Sequence, residues 1–163
     1  MSNDFYTLKI LPYAGIIIKI CRAYTDSHED FEDYYQEVCL QIWRSREQFR
    51  GDSKWSTWIY RLSLNICLTF IKKKQKNKQH VNNSEKMIAD TIDNYAFADE
   101  SLNLLYDAIK KLSEIDRAVI LLYLEEKSQK EIAEIIGTSP NNIGVRVNRI
   151  KERLKKLLDG KIN

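Results

Sequence analysis

The 163-residue sequence predicts an all-α protein in which two small helical domains are joined by a flexible linker. Apolar residues recur every three or four positions along most of the chain, which is the spacing of one helix face, and no segment alternates as a half-buried strand does. A polar stretch, residues 77–99, interrupts the pattern with lysines at its start and acids near its end. We therefore predict a first domain over residues 1–76, a linker over 77–99 and a second domain over 100–163.

The first domain is predicted to contain three helices. Pro12 marks a kink or an irregular start within the first helix, residues 4–24, because proline removes a backbone donor and clashes with the preceding turn. The second helix covers residues 29–46. A loop follows, in which Asp52 or Ser53 is expected to cap a third helix over residues 54–76.

The third helix carries an apolar face and a polar face. Its predicted buried residues are Trp55, Trp58, Ile59, Leu62, Ile66 and Phe70. Its predicted polar line is Thr57, Arg61, Asn65, Thr69, Lys72 and Lys73. This line has two interpretations: a solvated helix face, or a surface that follows the backbone of a nucleic-acid strand.

The second domain is predicted to end in a helix-turn-helix that follows two shorter helices. Ser128 is expected to cap the first helix of this motif, Gly137 to end it, and Ser139 with Pro140 to begin the second helix. Apolar residues from Ile143 onward form the buried stripe of that second helix. Its opposite side presents the candidate DNA-binding residues Asn141, Asn142, Val145, Arg146, Arg149 and Arg153. The alternative is a helical hairpin with a solvated basic flank.

The composition is that of a globular protein, with 44% hydrophobic residues, 30% charged residues and a net charge of +3. The charge is unevenly placed, since six carboxylates lie within residues 26–37 and five lysines within residues 72–78. We expect the acidic segment to meet a basic partner and the lysines to meet phosphates.

Several classes of function and location are not favoured by the sequence. Cys21, Cys39 and Cys67 lack the spacing of zinc ligands and predict reduced core thiols in a cytoplasmic protein. The apolar run over residues 13–21 is too short to predict membrane insertion, and no export signal precedes it. With no glycine-rich phosphate loop and no catalytic constellation, we expect no enzyme activity, no metal and no cofactor.

Two blocks of sequence resemble a known family. The motif DYYQEV at residues 33–38, followed by Trp43 and by FRGDSKWSTWIYRLSLN at residues 49–65, resembles region 2 of the extracytoplasmic-function (ECF) sigma factors. The segment EIAEIIG and a second helix ending RIKERL resemble region 4 of the same family. The resemblance implies a dissociable subunit of bacterial RNA polymerase that selects promoters, with region 2 opening the minus-ten element and region 4 reading the minus-thirty-five element.

The resemblance also implies roles for individual residues. Asp33, Gln36 and Glu37 would bind the clamp helices of the polymerase beta-prime subunit, while Phe49 and Asn65 would hold an unpaired base of the minus-ten element. The full minus-ten set is Phe49, Arg61, Asn65, Thr69, Lys72 and Lys73. Phe49 is alternatively a simple core anchor. Further implied partners are the polymerase beta flap, promoter DNA and an anti-sigma factor.

The recognition helix departs from the family pattern over residues 141–145. The family commonly has Gly-Thr, an apolar residue, Lys or Arg, and Ser at the places of Asn141, Asn142, Ile143, Gly144 and Val145. A glycine has no side chain that could contact a base edge, and it permits a close approach of the helix to the DNA backbone. Two other functions are compatible with the residues: a stand-alone helix-turn-helix repressor or activator, and a helical interaction protein without a nucleic-acid role.

Overall fold

A computed structural model describes residues 2–80 and 100–161, without the side chains of residues 78–80. The chain divides into two compact units, residues 1–92 and residues 93–163. Every regular element within the described ranges is a helix, so the predicted all-α fold with two small domains is confirmed. Most of the predicted linker, residues 81–99, lies outside the described residues. None of the helices in the described ranges has the length and hydropathy needed to cross a membrane.

The N-terminal helical segment is irregular around Pro12. Helix α1 (Asn3–Phe5) continues into a π-helical turn (Tyr6–Ile10) and a 3-10 turn (Leu11–Tyr13) before α2 (Ala14–Ala23). The missing backbone N–H of proline prevents a continuous α-helical hydrogen-bond ladder at this point. Helix α2 buries Ile17 and Ile20 completely, where it packs on the two longer helices of the unit.

The first unit is completed by α3 (His28–Ser45) and α4 (Trp55–His80). Helix α3 is capped by Ser27, whose hydroxyl oxygen accepts a hydrogen bond from the Asp30 backbone N–H at 3.1 Å. Helix α4 packs against both α2 and α3, and it extends through His80, past the end predicted for it at residue 76.

The buried face of α4 is rotated from its predicted position. Ile59, Ser63 and Cys67 are fully buried, and Thr57, which was predicted to lie on the polar line, is 7% exposed. The remaining predicted core positions are only half-buried: Trp55, Trp58, Leu62, Ile66 and Phe70. Small side chains at positions 63 and 67 allow the neighbouring helices to approach closely. The core face of α4 also includes the buried Tyr60 and Leu64, whereas the five half-buried residues lie at its rim. The Ser63 hydroxyl is satisfied by the Ile59 carbonyl at 2.7 Å.

The second unit consists of α5 (Glu100–Lys110), α6 (Glu114–Leu124), α7 (Gln129–Ile136) and α8 (Pro140–Leu158). The hydroxyls of Ser128 and Ser139 accept hydrogen bonds from the backbone N–H groups three residues later, at 3.1 and 3.2 Å, which confirms both predicted caps. Gly137 ends α7 in the left-handed region with φ of 87°. The apolar stripe of α8 packs on α5, α6 and α7, and its buried members are Ile143, Val147, Ile150 and Leu154.

Candidate polymerase and DNA interfaces

Phe49 belongs to a cluster of five aromatic side chains in the first unit. Its members are Phe5, Trp43, Phe49, Trp55 and Trp58. The Phe49 ring lies 5.1 Å from the ring of Trp55 and 5.6 Å from that of Trp58, centroid to centroid, and the two indoles stack at 4.9 Å. These ring contacts fix the orientation of Phe49. Because Phe49 is only half-buried, part of its ring remains accessible.

The N-terminal segment holds this aromatic cluster in place. The Trp55 indole N–H donates a hydrogen bond to the Lys9 carbonyl oxygen at 2.8 Å. Phe5 packs edge-on against Trp43 and Trp55, with centroid distances of 5.2 and 6.3 Å. A motif at residues 49–58 is therefore supported by residues some forty positions earlier, a contact that the linear pattern did not predict.

The polar line of α4 is exposed over most of its length. Asn65, Thr69, Lys72 and Lys73 are exposed, and Arg61 is half-buried. The Thr69 hydroxyl donates to the Asn65 backbone carbonyl at 2.7 Å. This bond does not involve the Asn65 side-chain amide, which lies on the surface. The exposed part of the line thus presents one amide and two ammonium groups on the surface of one helix.

The neighbouring lysine has a different role. Lys74 pairs with Asp30 at 2.6 Å between its ammonium nitrogen and a carboxylate oxygen, and this ion pair connects α4 to α3. Both side chains are partly exposed, so the pair contributes little to stability, about 0–1 kcal/mol. Its main consequence is to neutralise one carboxylate of the acidic segment at residues 26–37.

The three residues predicted to bind polymerase lie on α3. Asp33 and Gln36 are exposed, whereas Glu37 is half-buried and accepts a hydrogen bond from the Gln41 amide at 3.1 Å. Residues 33 and 37 are one helical turn apart, so their carboxylates share one face of the helix. That face suits a basic partner.

The side of α3 that faces the core carries uncharged hydroxyl and thiol groups. The Tyr35 and Tyr6 hydroxyl oxygens lie 2.8 Å apart, within hydrogen-bond distance. Burial raises the pKa of Tyr35 well above its ordinary value, and the hydrogen bond with Tyr6 raises it further. Burial also raises the pKa of Cys39 to about 11, so its thiol is neutral at physiological pH. Cys21 and Cys67 are likewise buried free thiols.

Five of the six candidate residues of α8 are exposed, and Arg146 is half-buried. Three of the six are also bonded within the unit. The Asn142 amide donates to the Thr138 hydroxyl oxygen at 2.8 Å. Arg146 Nη1 donates to Asp116 Oδ1 at 2.8 Å, and Arg153 Nη2 donates to the Lys111 carbonyl oxygen at 3.2 Å.

Gly144 faces α7 and is half-buried. A Cβ atom at this position would lie 3.0 Å from Gln129 Nε2 and 3.2 Å from Gln129 Oε1. The glycine therefore leaves room for the Gln129 amide at the start of α7. The predicted approach of Gly144 to a DNA backbone stays a prediction, whereas its packing against a neighbouring helix is a structural role that the sequence did not reveal.

Comparison with known proteins places these units in a family. Residues 10–77 match the family model for Sigma-70 region 2, and residues 102–154 match that for Sigma-70, region 4. The ECF RNA polymerase sigma factor SigW of Bacillus subtilis (strain 168) is 27% identical over 158 residues, which cover 90% of this chain and 84% of SigW. The ECF RNA polymerase sigma-E factor of Haemophilus influenzae (strain ATCC 51907 / DSM 11121 / KW20 / Rd) is 25% identical over 166 residues, covering 92% of this chain and 85% of that protein. The chain belongs to the ECF sigma factors.

In this sigma factor, the region 2 match runs from the end of the π-helical turn into α4, and the region 4 match covers most of α5 to α8. A solved structure, the sigma factor RpoE in complex with the anti-sigma factor NepR from Bartonella quintana, has a TM-score of 0.75 at 22% sequence identity. The match covers 98% of this chain and 99% of that one, and it supports the fold. The predicted family and fold class are confirmed, while the roles of individual residues stay predictions.

Proposed function

We propose that this ECF sigma factor binds bacterial core RNA polymerase, directs it to specific promoters and helps to open the minus-ten element. The observation that carries the proposal is the combination of two surfaces in one chain. The region 2 unit presents an accessible aromatic edge and a polar helix line, and the region 4 unit presents a helix-turn-helix with exposed amide and guanidinium groups. Such a protein works in the cytoplasm and needs no catalytic group of its own.

Polymerase binding is assigned to the acidic face of α3. Asp33, Gln36 and Glu37 would contact the clamp helices of the beta-prime subunit. The exposed carboxylate of Asp33 and the half-buried carboxylate of Glu37, one helical turn apart, would provide electrostatic complementarity to a basic partner. The region 4 unit would contact the beta flap.

Opening of the minus-ten element is assigned to Phe49 and the polar line of α4. Extrusion of a base costs a few kcal/mol of stacking, and an aromatic platform returns about 1–3 kcal/mol. The fixed ring of Phe49 offers that platform, and the exposed amide of Asn65 offers hydrogen bonds to a base edge. The remaining members of the set supply further hydrogen bonds or phosphate contacts: Arg61, Thr69, Lys72 and Lys73.

Recognition of the minus-thirty-five element is assigned to α8. Asparagine side chains bind adenine in a bidentate manner, and an apolar side chain contacts the thymine methyl group. Asn141, Asn142 and the 56% exposed Val145 have these chemistries on the accessible face. The three arginines add positive charge to the same helix.

An anti-sigma factor is a further proposed partner. Two proteins of similar fold were solved with a partner: the sigma factor RpoE from Bartonella quintana with the anti-sigma factor NepR, and CnrH with the cytosolic domain of CnrY. An inhibitor of this kind would mask the polymerase-binding face or the DNA-binding faces described above.

Run-off transcription from a fragmented genomic library tests the proposed function. Purified bacterial core polymerase is compared with and without the protein, and we expect discrete new start sites that depend on it. No stimulation by a folded preparation, combined with binding of the protein alone to palindromic duplexes, would favour the repressor or activator function instead.

Two sets of variants test the division of labour in region 2. Asn65→Ala should reduce promoter opening and leave association with core polymerase unchanged, and Gln36→Ala combined with Glu37→Ala should reduce association. Asn77→Ala is the matched control for Asn65→Ala, since Asn77 is also an exposed asparagine on α4 but lies one helical turn beyond Lys73, outside the six predicted residues. If Asn65→Ala and Asn77→Ala reduced opening equally, the assignment of Asn65 would be wrong.

A further inference from the structure

A pocket of about 340 Å³ lies on one flank of α8. It is lined by Asp116, Arg146, Arg149, Ile150 and Arg153. Three arginines and one aspartate contribute to this lining, so the pocket has a net positive charge. Guanidinium groups bind phosphate through paired, charge-assisted hydrogen bonds, which makes a phosphate the anion that this lining fits best.

Two of the arginines are held at this flank by the α5–α6 corner. Arg146 pairs with Asp116 in the first turn of α6, where the two side chains are 34% and 28% exposed. Arg153 donates to the Lys111 carbonyl oxygen just after α5. Both side chains are therefore drawn away from the centre of the exposed face, where Val145 lies.

The flank of a recognition helix faces the sugar-phosphate backbone. A helix with its side chains is about 10–12 Å wide, and the major groove is about 12 Å wide, so a docked helix fills the groove between two backbones. Side chains at the centre of the exposed face meet base edges, and side chains drawn to a flank meet a phosphate.

We propose that this pocket binds one backbone phosphate of the minus-thirty-five duplex, with Arg146, Arg149 and Arg153 as its cationic groups and Asp116 as the residue that limits its affinity. The proposal rests on the proposed function and refines it: the three arginines bind phosphate, and base readout is left to Asn141, Asn142 and Val145. Asp116 both orients Arg146 by accepting its hydrogen bond and offsets part of the positive charge that a phosphate meets.

The first test separates phosphate binding from base readout. Holoenzyme assembled from core polymerase and the full chain is titrated against promoter duplexes that carry every single substitution in the minus-thirty-five element, at several salt concentrations. Arg146→Gln should weaken binding to all duplexes by a similar factor and reduce the slope of log K against log salt by about 1, because one phosphate contact is lost. Asn141→Ala should instead change the preference at only one or two base pairs. A change of preference at a single base pair, with the salt slope retained, would overturn the phosphate assignment of Arg146.

The second test concerns Asp116. Asp116→Asn keeps an oxygen that accepts from Arg146 but removes the charge, so we expect several-fold tighter binding to every duplex and a steeper salt dependence. Asp107→Asn is the matched control, because it removes an exposed carboxylate on α5 that does not line the pocket. Equal effects of the two variants, or weaker binding by Asp116→Asn, would contradict the role given to Asp116.

These outcomes are distinguishable from failure of the proposed function. If no promoter responds to the protein in the run-off assay, the sigma-factor activity itself fails. If promoters respond but Arg146→Gln acts at one base pair, only the phosphate site fails. Calorimetric titration of the free chain with inorganic phosphate distinguishes a DNA phosphate from a free phosphate ion. If Arg149→Gln abolished binding of inorganic phosphate but left the affinity for DNA unchanged, the pocket would be a site for a free anion, and the proposal would be overturned.

Discussion

Two glycines of the helix-turn-helix should respond to alanine with opposite signs. Gly137 ends α7 at φ 87° and ψ 44°, and a Cβ atom there would meet nothing within 4 Å. The cost of Gly137→Ala is therefore conformational: about 1–2 kcal/mol for an L-residue in the left-handed region. The reduced entropy of the unfolded chain offsets about 0.4–1 kcal/mol of this cost. We expect a net destabilisation of about 1 kcal/mol by these terms.

Gly144→Ala should stabilise the same unit. Position 144 lies inside α8, where alanine is favoured over glycine by about 1 kcal/mol. The new Cβ would approach the end of the Gln129 side chain at 3.0 Å, but that side chain is flexible and exposed, so a small movement relieves the contact. The two variants should therefore differ in unfolding free energy by roughly 1–2 kcal/mol, with opposite signs relative to the parent chain.

The assay uses the uneven placement of tryptophan. All three tryptophans, at positions 43, 55 and 58, lie in the first unit, so their fluorescence follows its unfolding, whereas far-ultraviolet circular dichroism follows the helices of both units. On heating, Gly137→Ala should lower the midpoint temperature of the second unit, measured by circular dichroism, by about 4–8 °C for each kcal/mol of destabilisation. The fluorescence transition should not move. A change of equal sign in both glycine variants, or a matching shift in fluorescence, would refute the reasoning.

Four further predictions follow from individual side chains. Ser139→Ala removes the cap of α8 and should destabilise the second unit by about 1 kcal/mol, measured by circular dichroism in urea. Ile59→Ala creates a cavity at a fully buried site and should cost about 2–5 kcal/mol, seen as an earlier fluorescence transition of the first unit. Burial raises the pKa of Cys39 from 9.0 to about 11, so between these pH values the thiol ionises in the unfolded chain before it does so in the folded protein. The protein should therefore lose stability as the pH rises from 9.0 towards about 11. Cys39→Ala should reduce this loss, measured as the urea midpoint at each pH. Phe49→Leu keeps an apolar side chain but removes the aromatic face, so in a permanganate footprint of the minus-ten element it should impair opening almost as much as Phe49→Ala; full opening by Phe49→Leu would point to a core anchor instead.

The helices and their caps followed from the sequence because their signals are local. Ser128, Gly137 and Ser139 act through neighbours within four residues, so the pattern alone located them. The orientation of α4 was different. That helix is apolar on more than one side, and its core-facing side depends on which residues let α2 and α3 approach closely, a property of the tertiary packing.

The candidate site was predictable to a similar extent. The exposure of Asn141, Asn142 and Val145 follows from the buried stripe of α8. The ion pair between Arg146 and Asp116 joins residues 30 positions apart, and no local pattern marks two such residues as partners. The sequence therefore located the candidate recognition helix, whereas the proposal that Arg146 binds a phosphate depends on the packing of α6 against α8.

The hydrogen bond from Trp55 to the Lys9 carbonyl means that residues 5–9 support the aromatic cluster to which we assign promoter opening. Proteolytic cleavage just after Lys9 would release Phe5 from Trp43 and Trp55 and leave the aromatic support of Phe49 incomplete. The α3 carboxylates that we propose to bind polymerase would remain in the chain. Such a clipped protein would still occupy polymerase while opening promoters poorly, and would thereby act as a competitor of the intact sigma factor.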